Sequence, residues 1–143
     1  MASDKPEAIV RKYYEKATEG DAKTIDDLLA EDFVLHSPIS DEPIRGIEGF
    51  KAMIAAYRAA TPELKVKVQD LKVEGDTVVT RWSAHYKHTG DFDGHAPTGK
   101  EGDINGSDTI RIVDGKIVEV RNNLNLADAE SQVGFKPKLK KKS

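Results

Sequence analysis

The chain has 143 residues, no cysteine and a formal net charge of −3, with 38% hydrophobic and 33% charged residues. That length suits one domain with a real core, and the absence of cysteine removes disulfides, thiol nucleophiles and thiolate metal sites. A mildly acidic body gives no general pull toward nucleic acid or an anionic membrane. No apolar run reaches the roughly 20 residues of a membrane span and no charged-then-apolar leader opens the chain, so a soluble cytoplasmic protein is expected.

Residues 6–19 read as a first helix, with Pro6 suited to its first turn, Gly20 to its end, and Ile9, Val10, Tyr13, Tyr14 and Ala17 as an apolar stripe. Residues 22–30 form a second, shorter helix. The run 31–37 (EDFVLHS) is a short strand with Phe33 and Leu35 on one face and Val34 and His36 on the other. After a loop at 38–43, residues 46–60 make a third helix that buries Ile47, Phe50, Ile54 and Tyr57, with Met53 beside them. Strands at 63–73 and 77–88 follow. The parity of Leu64, Val66 and Val68 against Leu71 and Val73 requires a bulge or twist near Asp70. In the next strand Val78, Trp82, Ala84 and Tyr86 share one face, while Val79, Arg81, Ser83, His85 and Lys87 share the other.

A glycine-rich connection, 89–102, leads into the most informative stretch, DINGSDTIRIVDGKIVEVRNNLNL at 103–126. Asp114-Gly115 between β-branched runs signals a two-residue type I′ hairpin, which needs positive φ at both central residues. The turn sets Ile112 opposite Ile117, Ile110 opposite Glu119 and Asp108 opposite Arg121. Away from the turn the hairpin grows polar, through Asn105, Ser107, Asp108, Arg121, Asn122, Asn123 and Asn125. Such density fits strands that face water or a polar-lined cavity. Residues 127–135 close the fold as a turn or short helix. The tail 136–143, with five lysines, is expected to be disordered. The order of elements, ααβαββββ, is an α+β pattern of three helices packed on a curved antiparallel sheet, with no parallel pairing expected.

The first helix, then Asp32-Phe33-Val34-Leu35-His36 and Arg45-Gly46-Ile47-Glu48-Gly49-Phe50, resembles the opening of SnoaL-like proteins of the NTF2-like superfamily. Arg81-Trp82, His88-Thr89-Gly90, Pro97-Thr98-Gly99-Lys100, Gly106 and Asp114 to Glu119 continue the likeness, which spans residues 6–135. The resemblance implies a cone-shaped α+β barrel, a single domain over 1–135, a largely apolar cavity and a homodimer. It also implies polyketide cyclase or ketosteroid isomerase-like chemistry, an acid–base carboxylate or His–Asp pair in the cavity, and no metal or organic cofactor. Where many relatives carry an aspartate on the last strand, this chain has Asn122 and Asn125, amides that cannot move a proton near neutral pH.

Asp108 is the best remaining carboxylate, with Asp103 second at the cavity mouth: opposite Arg121 Asp108 makes a cross-strand ion pair, and inside a cavity it becomes a base. His36 closes the strand where the superfamily commonly lines its pocket, and imidazole titrates near neutral pH. It serves either as a rim histidine or as a catalytic one, and His88 follows it on the Trp82 and Tyr86 face. Tyr14, Phe50, Met53, Tyr57, Trp82 and Tyr86 make an aromatic and apolar set that fills a core or lines a pocket, with Arg121, Asn122 and Asn125 as polar contacts. No His-Glu-x-x-His or strand-paired histidines suggest a metal. Two functions follow. The first is an isomerase- or cyclase-type enzyme acting on a hydrophobic carbonyl compound, with Tyr14, Asn122 or Asn125 polarising the oxygen and His36 or Asp108 moving the proton. The second is a non-catalytic pocket protein or dimeric accessory module that binds a small apolar ligand.

Overall fold

The computed structural model describes residues 5–92 and 94–133; the lysine-rich tail lies outside the described residues. The helix α1 (Pro6–Glu15) is followed by a 3-10 turn at Ala17–Glu19, α2 (Ala22–Leu28), β1 (Leu29–His36) and the two-residue β2 (Ile44–Arg45). Then come α3 (Gly46–Ala60), β3 (Lys65–Glu74), β4 (Thr77–Lys87), β5 (Glu101–Val113), β6 (Lys116–Leu124) and α4 (Leu126–Val133). The first helix breaks earlier than its apolar stripe suggests. Gly20 takes the left-handed conformation, φ 88°, and the turn before it tightens so that Ala17 stays buried.

One six-stranded, open sheet runs in the order β2-β1-β6-β5-β4-β3. Most neighbours are antiparallel, as the meander predicts, and the bulge near Asp70 sits between Val68 and Asp70. The β1–β6 pair is parallel, against the expectation that none would be. Local patterning orders consecutive strands, but β1 docks on the free edge of the last strand, a pairing set by how the helices fold back rather than by any turn.

The hairpin register is the second correction. Asp114 and Gly115 both have positive φ (51° and 78°), so the turn forms as read, with Val113 opposite Lys116 and Ile112 opposite Ile117. Beyond it β6 takes one extra residue, Val118, so Arg111 pairs with Glu119, Ile110 with Val120 and Asp108 with Asn122. Ile117 and Val120 are both fully buried, which a regular strand could not achieve, since its side chains alternate. The bulge turns Glu119 and Arg121 outward and brings Val120, Asn122 and Leu124 inward. Burying Glu119 and Arg121 in the core would cost far more than one disrupted ladder position.

The core lies between the inner face of the sheet and α1–α3. Phe33 of β1 and Phe50 of α3 are fully buried and meet edge-to-face at 5.6 Å, and Phe50 also touches Tyr13 at 5.8 Å. Burying each phenyl ring contributes about 2–3 kcal/mol. On the outer face Val79 is exposed and Val118 half-buried, while Val120 is in the core. Among the described residues no helix is long and apolar enough to cross a membrane.

Candidate functional site

Three strands set the polar groups of the site in one row. Thr80 of β4 pairs with Asp108 of β5, which pairs with Asn122 of β6, and all three point inward. Above them α1 supplies Tyr14 from its buried stripe. The Tyr14 hydroxyl donates a short hydrogen bond to Asp108 Oδ2, which leaves its oxygen to accept from the Thr80 hydroxyl at 2.6 Å. Asn122 Nδ2 donates to Asp108 Oδ1 at 2.6 Å, and its Oδ1 accepts from the Ser37 hydroxyl at 2.7 Å. Two relays, Thr80–Tyr14 and Ser37–Asn122, therefore converge on one carboxyl group.

That carboxyl is 4% exposed. Loss of water pushes the Asp108 pKa above the ordinary carboxylate value, and the bonds from Tyr14 and Asn122 and the nearby Trp82 indole pull back against the rise. Burial, with the Asp108 charge beside it, also raises the Tyr14 pKa, so Tyr14 stays a neutral donor. Trp82 Nε1–H lies close enough to ease the charge on Asp108 yet outside hydrogen-bond geometry, and it is buried without a partner among the described residues.

Asp108 and Asn122 of this row, with Tyr14 and Ser37, form the polar floor of a cavity of about 190 Å³, and Thr80 braces Tyr14 from behind it. Its walls are almost wholly apolar and include Leu35, Met53, Ile54, Tyr57, Trp82 and Ala84. Leu64, Val66, Ile104 and Leu124, which are half-buried, mark the wetter end. An apolar cavity of about 150 Å³ takes a benzene ring, so this one takes a ring and little more at its floor.

Of the residues singled out in the sequence, Tyr14, Met53, Tyr57, Trp82, Asp108 and Asn122 line this cavity. The others lie elsewhere, each for a local reason. Strand alternation that sends Leu35 inward sends His36 outward, where Nε2 sits 3.1 Å from Glu119. The bulge puts Arg121 on the outer face beside Glu119 at 3.4 Å. Phe50 is a core residue behind the cavity wall. Tyr86 faces inward beyond the cavity, and its hydroxyl donates to Gln132 of α4 at 2.8 Å. Asn125 accepts the Asp128 backbone N–H at 2.9 Å at the start of α4. His88 is buried as a fastener of the following loop. Its Nδ1 accepts the Thr98 N–H at 3.2 Å, and its backbone bonds Gly99 and Lys100.

Sequence reasoning missed Ser37, which lines the floor, and Thr80, which supports Tyr14 behind it. Thr80 carried a signal, since it shares parity with Val78 and Trp82 on the buried face. Among the described residues no three His, Asp or Glu side chains converge as metal ligands would.

The family model for SnoaL-like polyketide cyclase matches residues 7–133. The chain belongs to the SnoaL-like polyketide cyclase family. IdmH, a candidate polyketide cyclase from Streptomyces antibioticus, is 30% identical, with a TM-score of 0.80 over 92% of this chain and 100% of its own. A candidate polyketide cyclase from Acidithiobacillus ferrooxidans is 25% identical, with a TM-score of 0.78 over 94% of this chain and 98% of its own. A SnoaL-like protein from Jannaschia sp. CCS1, 21% identical, shares the fold with a TM-score of 0.82 over 92% of this chain and 97% of its own. No curated protein shows significant sequence similarity to the chain. This SnoaL-like protein is thus a pocket protein of the cyclase type, whose site must supply the chemistry because the fold alone does not.

Proposed function

We propose that this SnoaL-like protein is an acid–base enzyme that enolises a hydrophobic carbonyl compound, with Asp108 as the proton acceptor. The observation that carries the reading is a buried carboxyl, its pKa raised by burial, at the floor of an apolar cavity. A desolvated carboxylate is a stronger base than one in water, and proton transfer by a positioned side chain contributes about 10²–10⁴-fold. Asp108 takes the proton from the carbon next to the carbonyl, and the C–H electron pair moves into an enolate. In a cyclase-type substrate the enolate carbon attacks a second carbonyl of the same molecule. The new alkoxide then recovers the proton from Asp108. Atoms and electrons balance within substrate and side chain, so the step itself needs no redox partner.

The last-strand amide does not remove the chemistry in this reading. Asn122 orients Asp108 instead of serving as the base, and Tyr14 spends its single proton on the same carboxyl. His36 is outside the cavity and is not part of the proposal. The test is exchange of the C2 protons of 1-indanone in D2O, followed by NMR with wild type and Asp108→Asn. Saturable exchange that disappears in Asp108→Asn supports the reading; exchange at the buffer rate with wild type rejects it.

A second reading rests on the fact that both oxygens of Asp108 already accept hydrogen bonds. A carboxyl held this way also suits a binding pocket that orients a ligand without converting it. Saturable binding with no proton exchange over long incubation favours this alternative. The homodimer expected from the family resemblance belongs to the proposal as well, with light scattering as its test.

A further inference from the structure

Of the donors nominated from sequence to polarise the ligand oxygen, Tyr14 is fully engaged, Asn122 is half engaged and Asn125 lies outside the cavity. Tyr14 has one proton, and it goes to Asp108. One of the two Asn122 N–H bonds goes to the same carboxyl, and Asn125, whose side-chain oxygen caps α4 as an acceptor, does not line the cavity. Trp82 Nε1–H, by contrast, is buried at the cavity with no partner among the described residues. A buried N–H left unsatisfied costs about 1–3 kcal/mol, so its persistence invites an explanation.

The position of this N–H is built by the strand opposite. Trp82 pairs with Gly106, and a Cβ there would sit 2.3 Å from Trp82 Cζ2 and 2.8 Å from Cε2. The indole therefore lies directly on the bare backbone of Gly106, one inward position from Asp108 on β5. Asn123 O, 2.7 Å from the same point, closes the other side, so the strand cannot yield to make room for a side chain. Only glycine lets the indole lie this low, with its nitrogen edge beside the carboxyl.

We propose that Trp82 Nε1–H is the donor that recognises an acceptor oxygen on the ligand, and that Gly106 is the positioning residue that aims it. Acceptor and acid are then read together: the ligand places a carbonyl oxygen on Trp82 and the adjacent C–H on Asp108. This defines the ligand class as ring ketones whose carbonyl is attached to, or part of, the ring at the cavity floor. The inference builds on the reading of Asp108 as base for its catalytic consequence, while recognition of the oxygen is independent of turnover.

The chain holds one tryptophan, so the indole N–H gives a single, unambiguous cross-peak in a 1H–15N spectrum. The probes are 1-indanone and indane, which differ by the acceptor oxygen. The expected result is a downfield shift of that cross-peak with 1-indanone and none with indane. Wild type should bind the ketone roughly fivefold tighter, the ~1 kcal/mol of one neutral hydrogen bond, and the ratio should fall to about one in Trp82→Phe. A cross-peak that responds alike to both probes overturns the proposal, as does a ketone preference that survives Trp82→Phe. Absence of saturable binding by either probe also overturns it, since the cavity would then admit no acceptor at the indole. Ketone selectivity without C2 proton exchange leaves the inference standing and rejects only the catalytic reading.

Discussion

Asp103 and Asp108 stand on the same strand, and each is bonded to a side chain of a neighbouring strand, yet they belong to different chemistries. Asp103 faces outward and accepts from His85 Nδ1 at 2.9 Å, with Glu101 2.6 Å from the other ring nitrogen. Asp108 faces inward, 4% exposed, under Tyr14 and over Asn122. The outer pairing raises the His85 pKa through the hydrogen bonds from Asp103 and Glu101, a shift that solvent and salt can screen. The inner carboxyl is dominated by loss of water, which salt cannot reach. Both carboxyls accept side-chain hydrogen bonds, and burial is what sets Asp108 apart as a base.

The sharpest way to break this contrast is to neutralise each aspartate in turn. Asp108→Asn should lower proton exchange by roughly 10²–10⁴-fold, whereas Asp103→Asn should leave it within about twofold. An equal loss in both would end the distinction. Next in size is Gly106→Ala, where the added methyl collides with the indole and with backbone. Overpacking of this kind costs about 1–3 kcal/mol, seen as a lower denaturant midpoint. Tyr14→Phe removes a donor from Asp108 and strands the Thr80 hydroxyl, so stability should fall by about 1–2 kcal/mol. The same change should move the pH limb of proton exchange upward, because the ionised carboxyl loses a supporting bond.

The smallest effects are in pH and salt. Asp108 has a folded pKa above its ordinary 3.8, so its contribution to stability is full below that value and is lost as pH rises through the raised one. Denaturation of wild type and Asp108→Asn should therefore diverge in the acid range and run parallel above it. His85 has a folded pKa above its ordinary 6.5, so its contribution is present below 6.5 and lost as pH climbs past the raised value. That small slope should vanish in 0.5–1 M salt, at a Debye length of roughly 3–4 Å, whereas the acid-range slope should persist.

The elements and the closing hairpin were legible because each depends on local chemistry: apolar stripes, Gly20, the Asp114-Gly115 turn and the parity switch near Asp70. Asp108 was legible too, as the carboxylate in an oddly polar strand. Its partner was not, because a single bulged residue, Val118, exchanges Arg121 for Asn122 and turns an ion pair into a neutral clasp. A signal existed. The turn demands Ile117 inside, while Val118 and Val120 alternate with Glu119 and Arg121, and no regular strand satisfies both. The choice for His36 between rim and pocket stayed open, since a two-faced strand gives parity but not which face meets the cavity until Leu35 is packed; it lies outward beside Glu119. The parallel β1–β6 pairing left no local trace at all.

The central claim is that Asp108 is a desolvated base, and the most direct measurement is a 13C NMR titration of its side-chain carboxyl, assigned by the signal missing from Asp108→Asn. The account predicts a midpoint clearly above the ordinary 3.8 in the ligand-free protein. A midpoint at or below that value would contradict it: the clasp of Tyr14 and Asn122 would then outweigh burial, leaving an orienting group rather than a base.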